Sequence, residues 1–428
     1  MYVTLRDRPG DTGPDRPRTA LRRVSGTVVL LGTVSLLTDV SSEMVASVLP
    51  LYLTAVVGLS PVAYGFLDGV YQGVSALVRI AGGYAGDRGR RPKWVAAAGY
   101  GVSALSRLAL LPAAGFAAVT AVVTADRLGK GLRTAPRDAL IAAASRPEAL
   151  GRAFGVHRTL DTIGAAAGPL VAFALLATVP GSYDSVFVVS FAFAVAGLAV
   201  LVLLVPDLPT ASGAVRAGVR RVVTQVAGVR LRRPLLAAAL LGLVTVGDGF
   251  LYLTLQDRDD FAARWFPLLY VGTNVAYLAL AVPLGRLADR VGRGRVFVGG
   301  HLALLGGYLV AALPRGGVGL TVVVLLLLGT CYAATDGVLA ALVSRLVPAD
   351  SRGTGIAAAQ TTVVLARFAA SVLFGLVWQL YGPRPALVLF AVLLAGVVPV
   401  AVRLLRGADH PATPASPGAS ERESGVAT

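Results

Sequence analysis

The stretch Gly285-Arg-Leu-Ala-Asp289-Arg290-Val-Gly292-Arg293 closes one apolar run, and Gly83-Tyr-Ala-Gly-Asp87-Arg88 closes another 202 positions earlier. Three more pairs recur in the same order: Asp39 with Asp248 (offset 209), Asp126 with Asp336 (210), and Arg152-Ala-Phe-Gly155 with Arg352-Gly-Thr-Gly355 (200). Ordered recurrence at nearly one period marks an internal duplication, with loops absorbing the drift. The copies sit among apolar segments of about 20 residues, the length that spans a bilayer as a helix. Twelve are expected, near 27–56, 62–84, 94–112, 116–136, 153–178, 185–205, 235–256, 266–286, 296–313, 319–343, 355–378 and 386–404. The fold expected is an all-α polytopic membrane protein, twelve transmembrane helices in two pseudo-symmetric six-helix halves.

Composition excludes the obvious alternatives. Of 428 residues, 55% are hydrophobic and 14% charged, where a soluble domain carries roughly a quarter charged. A net charge of +16 would ordinarily raise nucleic acid as a partner, but the apolar excess rules that out. The positive charge is sorted instead: 28 of the 39 Lys and Arg lie in the tails and alternate loops, and seven lie within spans. The opposite loops hold four, Arg258, Arg264, Arg315 and Arg384. By the positive-inside rule both termini are cytoplasmic, in a multi-pass protein of the cell inner (plasma) membrane. The expected division is a disordered N-tail (1–25, without a cleavable signal pattern), a first half (26–205), a basic central loop (206–234), a second half (235–406) and a disordered tail (407–428). A lone cysteine, Cys331, excludes an internal disulfide, and three histidines (His157, His301, His410) leave little for a metal site. No cofactor is expected.

Charges inside the spans carry the functional reading. Arg79, Arg107, Arg127, Lys130, Arg133, Arg137 and Arg367 face Asp39, Glu43, Asp68, Asp126, Asp138, Asp161, Asp248 and Asp336. Each costs roughly 2.5–3.5 kcal/mol at a helix centre, so they persist only by pairing inside the bundle around water or a ligand. Asp39 and Glu43, four apart, share a face of span 1, and two close carboxylates are a place to hold a coupling proton. Asp126, Lys130, Arg133 and Arg137 form one stripe of span 4. Arg127 and Lys130 are expected to line a cavity; Arg133, a further candidate for the coupling or substrate site, and Arg137 approach the cytoplasmic end, where both can snorkel, and Pro136 is expected to end or kink the helix. Asp248 and Asp336 need partners from other helices, with Arg367 a candidate. Asp161, Arg158 and His157 cluster at the start of span 5, where His157 could relay protons but reads first as a solvated, loop-proximal residue. Tyr52, Tyr71, Gln72, Gln256, Asn274, Tyr277, Gln360 and Trp378 are further candidate cavity contacts.

These motifs resemble the major facilitator superfamily, whose loop 2–3 signature reads G-x-L-A-D-R-x-G-R-[RK]. The second copy matches closely; the first has Gly86 for the Ala and Arg90 for the second Gly. Arg127-Leu-Gly-Lys130-Gly131 is similar to the family's R-x-x-Q-G element with Lys for Gln. Gly164-Ala-Ala-Ala-Gly168-Pro169 resembles the G-x-x-x-G-P packing element of proton-coupled exporters, without its trailing Gly pair. The resemblance implies a cytoplasmic gate built from Gly83, Asp87, Arg88, Arg91, Gly285, Asp289, Arg290, Gly292 and Arg293. Arg90, Arg91, Lys93, Arg293 and Arg295 read more simply as topology-setting charges.

The expected function is therefore a secondary active transporter working by alternating access, with proton-coupled export of a small organic molecule or drug as the leading reading. The cationic stripe instead suits proton-coupled import of an organic anion. Partners expected are the solute, protons and the lipid bilayer, around a monomer. A receptor or scaffold fits the buried charge poorly. No Walker sequence, H-E-x-x-H or G-x-S-x-G is present, so an enzyme is not expected.

Overall fold

The computed structural model describes residues 24–88, 91–208, 229–347 and 352–406, with side chains placed except at 75–88, 229–230 and 352–354. The expected disordered tails and most of the basic loop lie outside the described residues, as do Arg90 and the side chains of Arg79, Gly83, Asp87 and Arg88.

Helices dominate, with no strand among the described residues. The first half comprises α1 (Gly26–Leu51), α2 (Pro61–Arg88), α3 (Pro92–Ala109), α4 (Gly115–Ala143), α5 (Leu150–Thr178) and α6 (Tyr183–Ala199). The second comprises α7 (Val229–Leu243), α8 (Asp248–Asp259), α9 (Phe266–Val291), α10 (Arg293–Ala311), α11 (Val318–Thr335), α12 (Val338–Leu346), α13 (Arg352–Tyr381) and α14 (Pro383–Leu405). Spans 7 and 10 are thus each broken into two helices, α7–α8 and α11–α12, where the sequence reading had continuous ones. Counting each broken pair once restores twelve spans. Among the described residues nine of these are apolar enough by composition alone to cross a membrane; the three that are not, α2 to α4, belong to the half that concentrates the buried charges.

Apolar side chains such as Leu203, Leu278, Val282, Leu309 and Val392 point outward, as a bundle solvated by lipid requires. Inside, small residues let backbones approach. A Cβ on Gly168 of α5 would sit 2.7 Å from the Glu43 Cβ and 2.8 Å from the Val40 carbonyl of α1, and Gly164 meets the Leu36 backbone in the same way. Pro136 does not end α4: the helix runs two further turns to Ala143 with Pro136 buried within it, since neighbouring helices tolerate one lost backbone bond.

The halves meet at the ends of the helices remote from the chain termini. There Tyr64 packs on Phe250 (ring centroids 4.8 Å apart), Phe66 on Phe368 (5.6 Å) and Phe173 on Trp265 (5.3 Å). Gly65 of α2 lies against the Ser371 backbone of α13. The Ser371 hydroxyl donates to Asp68 at 2.6 Å, and among the described residues this is the one side-chain hydrogen bond that joins the halves. On the terminus-bearing side they stand apart around a cavity.

Candidate functional site

The cavity measures about 440 Å³, within the range of roughly 300–1,000 Å³ typical of small-molecule sites. The first half contributes Tyr71, Gln72, Arg127 and Lys130, and the second contributes His301, Asp336, Gln360 and Arg367 among others. Of the expected cavity contacts, Tyr71, Gln72 and Gln360 therefore line it. Tyr52 instead packs against Tyr183 and Phe187, Trp378 against Phe250 and Phe374, and Gln256 donates to the Phe261 carbonyl at 3.2 Å. Asn274 and Tyr277 are not on its wall.

Beside the cavity, the first half organises its charges into two groups. In the deeper one Asp126 of α4 takes Arg107 of α3 at 2.6 Å and its neighbour Arg127, whose Nε donates at 2.9 Å. All three side chains are buried. Arg107 also donates to the Ser42 hydroxyl of α1 (3.1 Å), and the Arg127 guanidinium stacks 3.7 Å from the centre of the Tyr71 ring. A buried carboxylate between two guanidiniums is compensated by them, and Tyr71 adds a cation–π contact on the cavity side.

The second group lies towards the terminus side. Arg133 sits 3.8 Å from Asp39 and over the Tyr100 ring at 4.5 Å. Arg137 holds Asp138 at 2.9 Å and lies 3.9 Å from Asp161, which Arg158 approaches at 3.6 Å. The carboxyls of Asp39 and Asp161 are hydrogen-bond neighbours across α1 and α5. Two expectations change here. Arg133 and Arg137 do not snorkel to the surface, because acids on α1 and α5 hold them inside. Asp39 has as its acidic partner Asp161, brought close by the Gly164–Gly168 packing, rather than Glu43 on its own helix. Glu43 makes no ion pair among the described residues and feels the charges of Arg127 and Lys130.

His157 is also not solvated. It is only 4% exposed, and neither ring nitrogen is hydrogen-bonded among the described residues. Because α5 begins at Leu150, His157 lies about 10 Å along the helix, at 1.5 Å per residue.

In the second half the broken spans set the geometry. At the α7–α8 break, Tyr308 of α10 accepts from the Val246 amide (2.8 Å) and donates to the Val244 carbonyl (3.1 Å), satisfying backbone that would otherwise be orphaned. Asp248 opens α8 and accepts from the Tyr332 hydroxyl of α11. At the α11–α12 break Gly337 adopts φ +79°, a conformation that favours glycine, and Asp336 opens onto the cavity. Arg367 of α13 makes no ion pair with Asp248 or Asp336 among the described residues, and its Nε is enclosed without a partner. The expected pairing of Arg367 with these acids is therefore not made; Tyr332 takes Asp248 instead. Sequence reading missed Ser371, Tyr332 and Tyr308 as site residues, and named Asp68 only among the buried charges, with no partner for it. The dipeptides Asp336-Gly337 and Asp248-Gly249 were the available signals for the breaks, since Asp-Gly marks turns.

At the motif loops, Asp289 pairs with Arg293 (2.9 Å) across the α9–α10 turn, where Gly292 has φ +106°. Arg293 also donates to the Ala341 carbonyl of α12 at 2.5 Å, so it ties two spans together and is more than a topology charge. Gly285 meets open space, and Arg290 and Arg91 are exposed. Lys93, also read as a topology charge, is buried and donates to the Val202 and Val205 carbonyls at the end of span 6 (2.9 and 2.7 Å).

The family model for the Major Facilitator Superfamily matches residues 31–272 and 259–428. The MFS-type transporter MJ1317 of Methanocaldococcus jannaschii is 30% identical over 374 residues, 84% of this chain and 90% of that protein. Rv2265 of Mycobacterium tuberculosis is 28% identical over 389 residues, 89% and 93% of the two chains. The solved nucleoside transporter NupG superposes with a TM-score of 0.76 at 14% identity, covering 89% of this chain and 99% of that one. A bacterial homologue of the human lysosomal transporter Spinster, inward-facing and unoccupied, gives 0.72 at 15% identity, covering 91% and 98%. These two likenesses speak to the fold, whereas the family model and the 30%-identical relative bear on descent. A transporter rather than an enzyme, the chain belongs to the major facilitator superfamily.

Proposed function

We propose that this chain is a proton-coupled antiporter that exports a small organic solute across the plasma membrane by alternating access, as a monomer with both termini in the cytoplasm. The observation that carries the reading is a solute-sized cavity between the halves, sealed on the far side and flanked by an acid–acid contact. With 28 basic residues towards the terminus side against four on the other, the cavity faces the cytoplasm. Two carboxyls at hydrogen-bond distance hold a proton between them, so Asp39 and Asp161 are the coupling site. Loss of that proton leaves two anions beside Arg133 and Arg137, which redraws the contacts between α1, α4 and α5. The close packing of α5 on α1 at Gly164 and Gly168 transmits that change to the rocking of the halves.

The test is solute-driven proton movement in proteoliposomes carrying an internal pH dye. An antiporter admits solute while releasing protons, so the lumen turns alkaline when solute is added outside. A symporter, the reading in which an organic anion is imported, turns it acidic. Absence of any solute-linked pH change across a broad panel, or an unaltered change in the Asp39→Asn and Asp161→Asn variants, rejects proton coupling at this pair.

A further inference from the structure

The two helix breaks are not equivalent. At the α7–α8 break Tyr308 satisfies the chain from both sides. At the α11–α12 break the first intrahelical bond is Ala341 N–H to the Gly337 carbonyl (2.9 Å). The amides of Val338, Leu339 and Ala340 have no acceptor among the described residues, and no side chain caps the helix. Gly337, Leu339 and Ala340 form part of the cavity wall. A helix start left open in this way is a donor array with partial positive charge.

Three independent features converge on the same space. Arg367 lines it with an enclosed, unpartnered Nε. Lys130 lines it from the other half and makes no ion pair among the described residues. His301, 3% exposed, gives its Nδ1 to the Phe297 carbonyl at 2.9 Å, and among the described residues nothing bonds its Nε2. Asp336 is the one acid on the wall among the described residues, while the third cation there, Arg127, is engaged by Asp126. The unengaged wall charges are thus two cations from opposite halves against one acid.

We infer that the transported solute carries an anionic head group, a carboxylate or phosphate, received by the open start of α12 and Arg367, with Lys130 opposite. This deepens the transport reading above and rests on it for the word transported. An anion that engages cations on both halves draws them together on the open side, which alternating access requires of a bound solute. Arg367 provides a planar donor fork suited to such oxyanions, and Lys130 a point charge.

The test is binding to the purified full-length chain in detergent, at constant ionic strength, by calorimetry. The probes are phenyl phosphate and benzoate, set against benzamide and benzylamine. Phenyl phosphate and benzoate should bind saturably and about tenfold or more tighter than benzamide, the scale of one charge-assisted hydrogen bond. Arg367→Gln and Lys130→Gln should each weaken that binding by a similar factor, and Arg367→Lys should restore part of it. Asp336→Asn should tighten it, because it removes the one like charge, an effect that mere structural damage would not produce. Equal binding of benzamide, or Arg367→Gln and Lys130→Gln variants that keep parental thermal unfolding and parental anion affinity, would overturn the inference. The two readings fail separately: anion binding without solute-linked proton flux rejects the coupling alone. Proton-coupled movement confined to neutral or cationic solutes rejects the anion site alone.

Discussion

Replacing Asp126 with Asn keeps the shape of the side chain and removes the charge that two buried guanidiniums share. Arg107 lies 2.6 Å from one carboxylate oxygen, which at an effective dielectric of about 20 is worth about 6 kcal/mol of attraction before desolvation is counted. Arg127 engages the other oxygen through Nε at 2.9 Å. Desolvation of three groups that are each 3–4% exposed offsets most of this in the parent. In Asp126→Asn the desolvation cost of the arginines remains and the attraction is gone, with the two cations repelling. Removing one partner of a buried pair typically costs about 3–5 kcal/mol, and that is the expected loss, read as the midpoint of reversible unfolding in a detergent titration. The double variant Asp126→Asn/Arg107→Gln removes one cation together with the anion and should recover a substantial part of it. A single variant as stable as the parent, or a double variant less stable than Asp126→Asn by the full cost of Arg107→Gln alone, would refute the claim that these residues form one compensated unit.

Other perturbations probe separate parts of the fold. Gly168→Val should destabilise by about 1–3 kcal/mol through overpacking, since the first added carbon already lies 2.7 Å from the Glu43 Cβ; thermal unfolding reads it, and Gly285→Ala, in open space, is the matched control. Tyr308→Phe strands the Val246 amide and the Val244 carbonyl, a loss of about 1–3 kcal/mol for a buried group left unpaired, visible as faster hydrogen exchange at the α7–α8 break. Ser371→Ala removes the hydroxyl that Asp68 accepts at 2.6 Å and should raise thiol labelling of a cysteine placed at Tyr64, on the sealed side. The buried Cys331 gives little background in that assay, and unchanged labelling would show that apolar packing alone holds the seal.

How much of this was legible beforehand depends on whether a feature is written along the chain or between helices. The duplicated Asp-Arg turns, the sorting of Lys and Arg and the run lengths are all local, and they located the spans and the family resemblance. The pairing of Asp39 with Asp161 is not local. It follows from α5 lying against α1 at Gly164 and Gly168, and spacing within span 1 pointed to Glu43 instead. The inward hold on Arg133 and Arg137 is non-local for the same reason: a cation near a helix end snorkels unless another helix offers a carboxylate, and two do. The helix breaks stayed hidden because Val244, Thr245 and Val246 read as apolar span, and the Asp-Gly step that marks each break also occurs as Asp68-Gly69 inside the unbroken α2.

The duplication also shows where the halves have diverged. Asp126 and Asp336 occupy matching places in the repeat, 210 positions apart, yet Asp126 is locked between arginines in a continuous helix and Asp336 stands exposed at a helix break. The first half therefore meets its charges with other side chains, in ladders of ion pairs. The second half meets the cavity partly with main-chain amides, whose dipoles cannot titrate. Under the coupling proposed at Asp39 and Asp161, proton binding acts on the first half while the α12 amides of the second keep a fixed dipole at the cavity, so that emptying the proposed coupling site need not abolish solute binding.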